Sequence, residues 1–595
     1  MGIPQILDLR EKQRVRDEVF TPSSGVRLTS GLLKSAFDNN TGYLKTLSMD
    51  SMLYWFRAKA GLPAPGEPYR GHFEDNIRGQ TAGLFMMGAA NSLRWEQDGE
   101  LDDKVNRIID VIDSCKEDDG YLMAVPKSEF GTKEYPNYVR CWLIYGLLAA
   151  GLIGKARAYS LLRNWQDWFN DCEDLPVIKY LSLGFQGIVG STNTYLSPVG
   201  VTRDLEIAVE YYQEDWRLAQ FIIGEKTDDW GLGLDHVVHK RDVYGVEHFP
   251  HGFELTALEG YLDLYRATGK HLYLNAVRGA YDMYGRSWQH PGGGIVMIEK
   301  EEMFPGCYWL SPERRYNELC CSVFWIYLNQ RLHRLFPMEE KYVDEIEKSI
   351  YNVAVANQVG TEGIRYHANI HRNKEDRYGE VHCCEGQGTR LFGALPEFLY
   401  SLAPDGLYVD IYSASQITWD VDGVDASLST ETEMPLGGRV SISFSLPSQR
   451  TFKLRLRIPS WATSQVDISV NGQDAASGEP GSYCILDRCW EDGDTVTFDL
   501  PMGFRATRYE GAEQVEGHSR YAFEYGPVLL GVVGDMNYSD GQNIRLDREL
   551  GDPSDWLAPG GKPLHFQVEG NPGYRFMPYF EITGQPFTCY PLYND

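Results

Sequence analysis

A chain of 595 residues is too long for one hydrophobic core, and we expect about two to four domains. Hydrophobic residues make up 43% and charged residues 24%, which is typical of a soluble globular protein. The formal net charge of −28 argues against nucleic-acid binding, because phosphate binding needs clustered Lys and Arg.

The start of the chain has no positively charged segment followed by a long apolar run, and no apolar stretch approaches about 18 residues. We therefore expect a cytoplasmic protein without a membrane partner. The eleven cysteines are an odd number scattered over a long chain, which is not the pattern of a disulfide framework. Reduced thiols are expected instead.

Residues 1–30 form a mixed segment with a short strand candidate at 25–29. From 31 to 405 the pattern is helical, and apolar residues recur at three- and four-residue steps. The clearest such stretches are 105–113, 140–150, 255–265 and 321–332. Many helices separated by Gly/Pro loops predict a toroid of paired helices.

After residue 405 the period changes to two. Alternating apolar and polar residues predict half-buried strands at 407–412, 440–446, 452–458 and 466–470. The Asn-Gly pair after Val470 is typical of a hairpin turn. We predict two β-sandwich units, at 406–515 and 516–595.

Two short motifs carry the candidate chemistry. Glu318 and Cys320 form a Glu-x-Cys element, and Cys383 and Cys384 are adjacent farther along the chain. Three thiols and one carboxylate suit a tetrahedral metal, and thiolate-rich sets favour zinc over calcium or magnesium. Zinc fingers space their thiols about two to four residues apart, so ordinary buried cysteines are the alternative.

Glu302 stands sixteen residues before Glu318, and this spacing together with the two motifs resembles the glycoside hydrolases of the β-L-arabinofuranosidase type, family 127 and its relatives. The resemblance runs nearly end to end. Further similar segments lie at 26–28, 56–62, 119–122, 262–269, 457–461, 490–494 and 500–502. The glutamate and cysteine motifs are specific in combination, whereas the other segments indicate a shared fold.

The resemblance implies a multidomain α+β fold, with an (α/α)6 helical barrel at 31–405 followed by the C-terminal β-sandwich domains. It further implies that the N-terminal strand segment at 1–30 joins the β part of the molecule. It also implies that Glu318, Cys320, Cys383 and Cys384 hold zinc, that Cys383 is the nucleophile and that Glu302 is the acid/base. A free thiol has a pKa of about 8.5, whereas a coordinated thiol is deprotonated. A thiolate can therefore replace the carboxylate that most retaining glycosidases use as nucleophile.

The residues that contact the sugar are less defined. His251 resembles a sugar-contacting family histidine, with a structural histidine as the alternative, and His72 and Asp75 are further candidates. Trp142 stands where the family has a histidine, and Glu385 stands where the family usually has proline after the cysteine pair. These departures leave the identity of the sugar open.

The sequence therefore predicts a retaining exo-glycosidase that acts on a terminal β-L-arabinofuranoside or a related pentofuranoside. One alternative is a glycosidase for another furanose or an acidic branched sugar. The other is a non-catalytic carbohydrate-binding scaffold in which zinc is structural. A carbohydrate is the expected partner, and a homodimer is left open.

Overall fold

The structure is a computed structural model. It describes residues 15–70, 78–129, 136–170, 269–285, 289–295, 317–374, 376–511, 513–536 and 543–595, together with 255, 258, 259, 261, 262, 265 and 266. Within these residues the protein is a mixed helix and sheet molecule whose C-terminal part is rich in strands.

The helices fill the N-terminal two thirds of the described chain. In chain order they are α1 Gly31–Thr46, α2 Met49–Lys59, α3 Gln80–Leu93, α4 Gly99–Cys115, α5 Pro136–Leu152, α6 Ala156–Asn170, α7 His271–Met283, α8 Leu319–Leu335, α9 Lys341–Ser349 and α10 Cys383–Ala394. Helices are present at 105–113, 140–150 and 321–332, as the periodicity predicts, while the closed (α/α)6 arrangement stays a prediction. A membrane-crossing length of apolar helix is not found among the described residues.

Helix α3 is almost entirely buried and packs against both α5 and α10. Its glycines allow this close approach. A Cβ on Gly83 would lie 2.4 Å from the backbone carbonyl of Trp142 in α5, and a Cβ on Gly88 would lie 2.6 Å from Thr389 Oγ1 in α10. The small residues of α3 therefore set the position of α10, which begins at Cys383.

The strands follow mainly in the C-terminal part. They are β1 Val26–Leu28, β2 Gln358–Val359, β3 Gly363–Ile364, β4 His371–Arg372, β5 Tyr400–Ala403, β6 Gly406–Val409, β7 Ser415–Val421, β8 Val424–Thr432, β9 Arg439–Ser445, β10 Arg450–Ile458, β11 Val466–Val470, β12 Gln473–Gly478, β13 Ser482–Trp490, β14 Thr495–Asp499, β15 Phe504–Arg508, β16 His518–Tyr525, β17 Val528–Val533, β18 Leu557–Pro559, β19 Phe566–Val568, β20 Arg575–Pro578, β21 Phe587–Thr588 and β22 Leu592–Asn594.

Three larger sheets contain most of these strands. A seven-stranded sheet has the order β1-β7-β8-β9-β14-β11-β12, and a four-stranded sheet has the order β13-β10-β6-β5. The N-terminal strand β1 pairs antiparallel with β7, so residues far apart in the chain share one sheet. Alternate residues of β7 and β9 are buried, as expected for strands with one face on the core.

The third sheet has nine strands and contains β15 to β22 together with β4. Its first strand, β15, pairs with β16, so the sheet changes between Asp499 and Phe504 rather than near residue 515. The stretch around 515 instead connects two antiparallel neighbours of the same sheet, because Val515 already forms a bridge with His518. The division of the chain into domains stays a prediction.

A buried ion pair joins the helical part to the four-stranded sheet. The guanidinium of Arg457 in β10 has no exposed surface and lies 2.7 Å from Glu340 and 3.1 Å from Glu347. Trp461 Nε1 donates a hydrogen bond of 2.8 Å to Glu347. Burial raises the pKa of Glu340 to about 7, although Arg457 acts in the opposite direction.

Candidate metal and active site

Two helices begin at the site. Glu318 is the N-cap residue of α8 and Cys320 lies in its first turn. Cys383 and Cys384 are the first two residues of α10, which follows the N-cap residue His382. Unpaired backbone N–H groups and the helix dipole make such N-termini favourable for negative charge, so both helices favour thiolates and a carboxylate here.

The four predicted ligands are brought together. Their ligand atoms all lie within 4.8 Å of one another, and all four residues are buried. The Sγ atoms of Cys384 and Cys320 are 3.1 Å apart, and Cys384 Sγ lies 3.4 Å from Glu318 Oε1. Tetrahedral zinc with Zn–S bonds of about 2.3 Å needs sulfur atoms only slightly farther apart, so the donor set fits that metal.

The electrostatics of the cluster also favour a cation. Burial raises the pKa of Glu318 to about 8, and burial raises the pKa values of Cys320 and Cys384 well above their usual range. Burial acts on Cys383 in the same sense, but hydrogen bonds from Cys320 and Cys384 outweigh it and hold the pKa of Cys383 well below its usual value. The three thiols are close enough for the charge of one to be stabilised by hydrogen bonds from the others.

Backbone strain accompanies the ligands. Asn317, directly before Glu318, has φ of 56°, and Val381, two residues before Cys383, has φ of 57°. Asn adopts this left-handed conformation readily, whereas a β-branched residue does so only under constraint. Asn317 is held by two hydrogen bonds with Ala368, of 3.0 and 3.2 Å.

Tyr366 and His382 lie beside the cluster, although the sequence pattern does not predict Tyr366 there and indicates His382 only as a neighbour of the cysteines. The hydroxyl of Tyr366 lies 3.5 Å from Cys383 Sγ, and its ring lies 4.8 Å from that of His382. His382 Nδ1 accepts a hydrogen bond of 3.1 Å from the backbone N–H of Glu385, which caps α10. Tyr366 reaches the site because its backbone carbonyl accepts from Leu319 N–H, a long-range contact that local spacing does not reveal.

Of the other predicted site residues, Trp142 lies among the residues that the structure describes. Trp142 is buried in α5 and stacks on Phe324 with ring centroids 6.0 Å apart, so the structure shows a packing contact and its sugar contact stays a prediction. Glu302, His251, His72 and Asp75 lie outside the described residues.

Comparisons with known proteins bear on the whole chain. The model of the β-L-arabinofuranosidase GH127 catalytic domain matches residues 25–397, and that of the GH127 middle domain matches residues 406–502. The non-reducing end β-L-arabinofuranosidase of Bifidobacterium longum subsp. longum is 22% identical over 542 residues, which cover 80% of this chain and 79% of the relative.

Solved structures give a similar picture of the fold. A GH127 β-arabinofuranosidase superposes with a TM-score of 0.74 at 17% identity, covering 97% of this chain and 98% of the other. A GH127 β-L-arabinofuranosidase from Geobacillus stearothermophilus T6 superposes with a TM-score of 0.70 at 18% identity, covering 96% of this chain and 99% of the other.

Proposed function

Because the chain belongs to the GH127 β-L-arabinofuranosidase family and is a glycoside hydrolase, we propose that it releases a terminal β-L-arabinofuranose with retention of configuration. The observation that supports this most is the convergence of three thiols and one carboxylate at two helix N-termini. The Bifidobacterium relative is a non-reducing end β-L-arabinofuranosidase, which supports the exo mode.

The metal in this proposal is zinc, held by Glu318, Cys320, Cys383 and Cys384. Bound zinc would supply the positive charge that keeps buried thiols ionised. The residues of the chain stabilise the negative charge of these ligands. The N-termini of α8 and α10 favour the anionic side chains, and Tyr366 offers a hydroxyl to Cys383 Sγ.

The proposed reaction has two steps. In the first, Cys383 Sγ attacks the anomeric carbon, the C–S bond forms as the glycosidic C–O bond breaks, and Glu302 gives its proton to the leaving oxygen. In the second, Glu302 takes a proton from water, the water oxygen bonds to the anomeric carbon, and the C–S bond breaks to return the thiolate. Two inversions at one carbon give net retention.

The assignment of Glu302 rests on its spacing from Glu318 and on the family resemblance. Without these two arguments, a glutamate in a run of charged residues would be read as a surface residue. Its place before the start of α8 allows the chain to bring its carboxyl to the leaving-group side of the sugar.

Sugar release from a panel of p-nitrophenyl glycosides, with pentofuranosides first, tests the proposal. We expect turnover of the β-L-arabinofuranoside by the wild type and its loss in Cys383→Ala and Cys383→Ser. Cys484→Ala is the matched control, because it removes a buried thiol from β13 in the four-stranded sheet. Sugar binding without turnover in the wild type would favour the scaffold instead, and turnover of another glycoside would change the substrate.

A further inference from the structure

Glu385, the third residue of α10, is buried with 1% of its surface exposed. Its carboxylate accepts hydrogen bonds from three backbone N–H groups. Oε1 accepts from Ile364 at 2.9 Å and from Gly379 at 2.8 Å, and Oε2 accepts from Val381 at 2.6 Å. These three hydrogen bonds tie the segment before α10 to the helix itself.

The Val381 bond is made by a strained residue. Val381 has φ of 57°, a conformation that its branched side chain disfavours, and it is 7% exposed. Such a conformation persists only where the surroundings impose it. Because Val381 is followed by His382 and then by Cys383, its backbone sets the direction in which the chain enters the cysteine pair.

Glu385 constrains this turn from two sides. Its backbone N–H donates to His382 Nδ1 at 3.1 Å while its carboxylate accepts from Val381 N–H, which is a variant of the reciprocal bonding in a capping box. The neighbouring loop leaves no spare room around the carboxylate. A Cβ on Gly363, which has φ of 145°, would lie 2.5 Å from Glu385 Oε1 and 2.5 Å from Gly379 N.

We propose that Glu385 is a positioning residue that fixes Cys383 and Cys384 opposite Glu318 and Cys320 by holding the strained turn at Val381. This inference rests on the proposed function of the cluster. The family resemblance implies proline at this place, so Glu385 departs from the expected residue. Proline has no N–H for His382 and no carboxylate for the three backbone donors.

Glu385→Gln tests the inference, because an amide nitrogen cannot accept a hydrogen bond and at least one of the three bonds is lost. The probe is cobalt(II), whose thiolate charge-transfer absorption reports a tetrahedral sulfur site. Loss of an outer partner of metal ligands commonly weakens metal binding about tenfold to a hundredfold. We therefore expect cobalt to bind about tenfold more weakly to Glu385→Gln, with an altered spectrum.

A second substitution separates a positioning role of Glu385 from a general effect on protein stability. Glycine adopts a positive φ without strain, so Val381→Gly in the Glu385→Gln background should recover most of the cobalt affinity and the wild-type spectrum. Asp422→Gly is the matched control, because Asp422 has φ of 53° in an exposed turn between β7 and β8. It should relieve strain there without restoring the site.

The inference is overturned if Glu385→Gln binds cobalt like the wild type, or if Asp422→Gly rescues as well as Val381→Gly. If Glu385→Gln does not fold, the double variant Glu385→Gln/Val381→Gly is measured instead. This double variant must fold and bind cobalt for the inference to stand. A wild type that binds no cobalt would refute the proposed metal site instead. In that case the rate of Cys383 alkylation by iodoacetamide without metal decides. Because Cys383 is buried, this rate should rise in Glu385→Gln, where the turn loosens, and return towards the wild-type value with Val381→Gly.

Discussion

Replacing Gly88 by alanine should damage the cysteine site from a distance. Gly88 lies in α3, and a Cβ there would meet Thr389 of α10 at 2.6 Å from Oγ1 and 2.8 Å from Cβ. Rotation of the threonine does not remove the clash. Its hydroxyl donates to Gly386 at 2.8 Å, and its backbone carbonyl accepts from Asn40 at 3.1 Å.

The size of the effect follows from these distances. Ordinary contacts between non-bonded carbons lie at about 3.5–4.0 Å, so α10 must move by about 1 Å. Overpacking of this kind costs about 1–3 kcal/mol, while alanine in a helix gains about 1 kcal/mol over glycine. We expect a net loss of about 1 kcal/mol in stability. A displacement of about 1 Å at reacting groups can cost about a hundredfold in rate, so activity should fall more than stability.

Thermal unfolding and glycoside turnover of Gly88→Ala, measured side by side, check this prediction. Gly99→Ala is the control, because Gly99 begins α4 and a Cβ there meets nothing within 4 Å. It should leave activity unchanged. Unchanged turnover in Gly88→Ala, or losses equal to those of Gly99→Ala, would refute the argument that α3 sets the position of the cysteine pair.

Two further predictions concern the buried carboxyl group of Glu340 and the metal content of the protein. The pKa of Glu340 is about 7 in the folded protein and 4.5 ordinarily. Between these pH values the folded state therefore binds more protons than the unfolded state does. The contribution of Glu340 to stability should thus be lost as pH rises from about 4.5 to 7. The melting temperature of the wild type should decline over this window, and that of Glu340→Gln should decline less. An equal slope in both proteins would remove Glu340 as the cause. For the metal, elemental analysis should find about one zinc per chain, and Cys320→Ala should lower that content while Cys484→Ala does not. Full zinc content in Cys320→Ala would contradict the ligand set.

Local sequence patterns predicted much of the fold. The helix at 105–113 and the strand at 466–470 follow from periods of 3.6 and 2, which report the buried face of an element directly. The Asn471-Gly472 pair forms the turn between β11 and β12 with φ of 53° and 76°, as its residue types require. The clustering of Glu318, Cys320, Cys383 and Cys384 agrees with the family resemblance, which implies these four residues as metal ligands.

What the sequence did not reveal depends on contacts between distant segments. Tyr366 reaches Cys383 only because its strand-like segment runs beside the start of α8. Glu385 was noted only as a departure from the family, since three backbone donors to one carboxylate leave no pattern in the sequence. The division of the β part near residue 515 stays a prediction, although the sheet changes between β14 and β15 at 499–504.

In the proposed reaction, Cys383 bonds covalently to the sugar while Glu302 acts as acid and base. Mass spectrometry of Glu302→Gln after incubation with an activated aryl β-L-arabinofuranoside tests it most directly. Activated leaving groups need little protonation, so the first step should proceed, while the second step lacks its base. A mass increase of one pentose residue should therefore accumulate on the peptide that contains Cys383. Near-normal turnover of a natural glycoside by Glu302→Gln, or a pentose found on a residue other than Cys383, would contradict it.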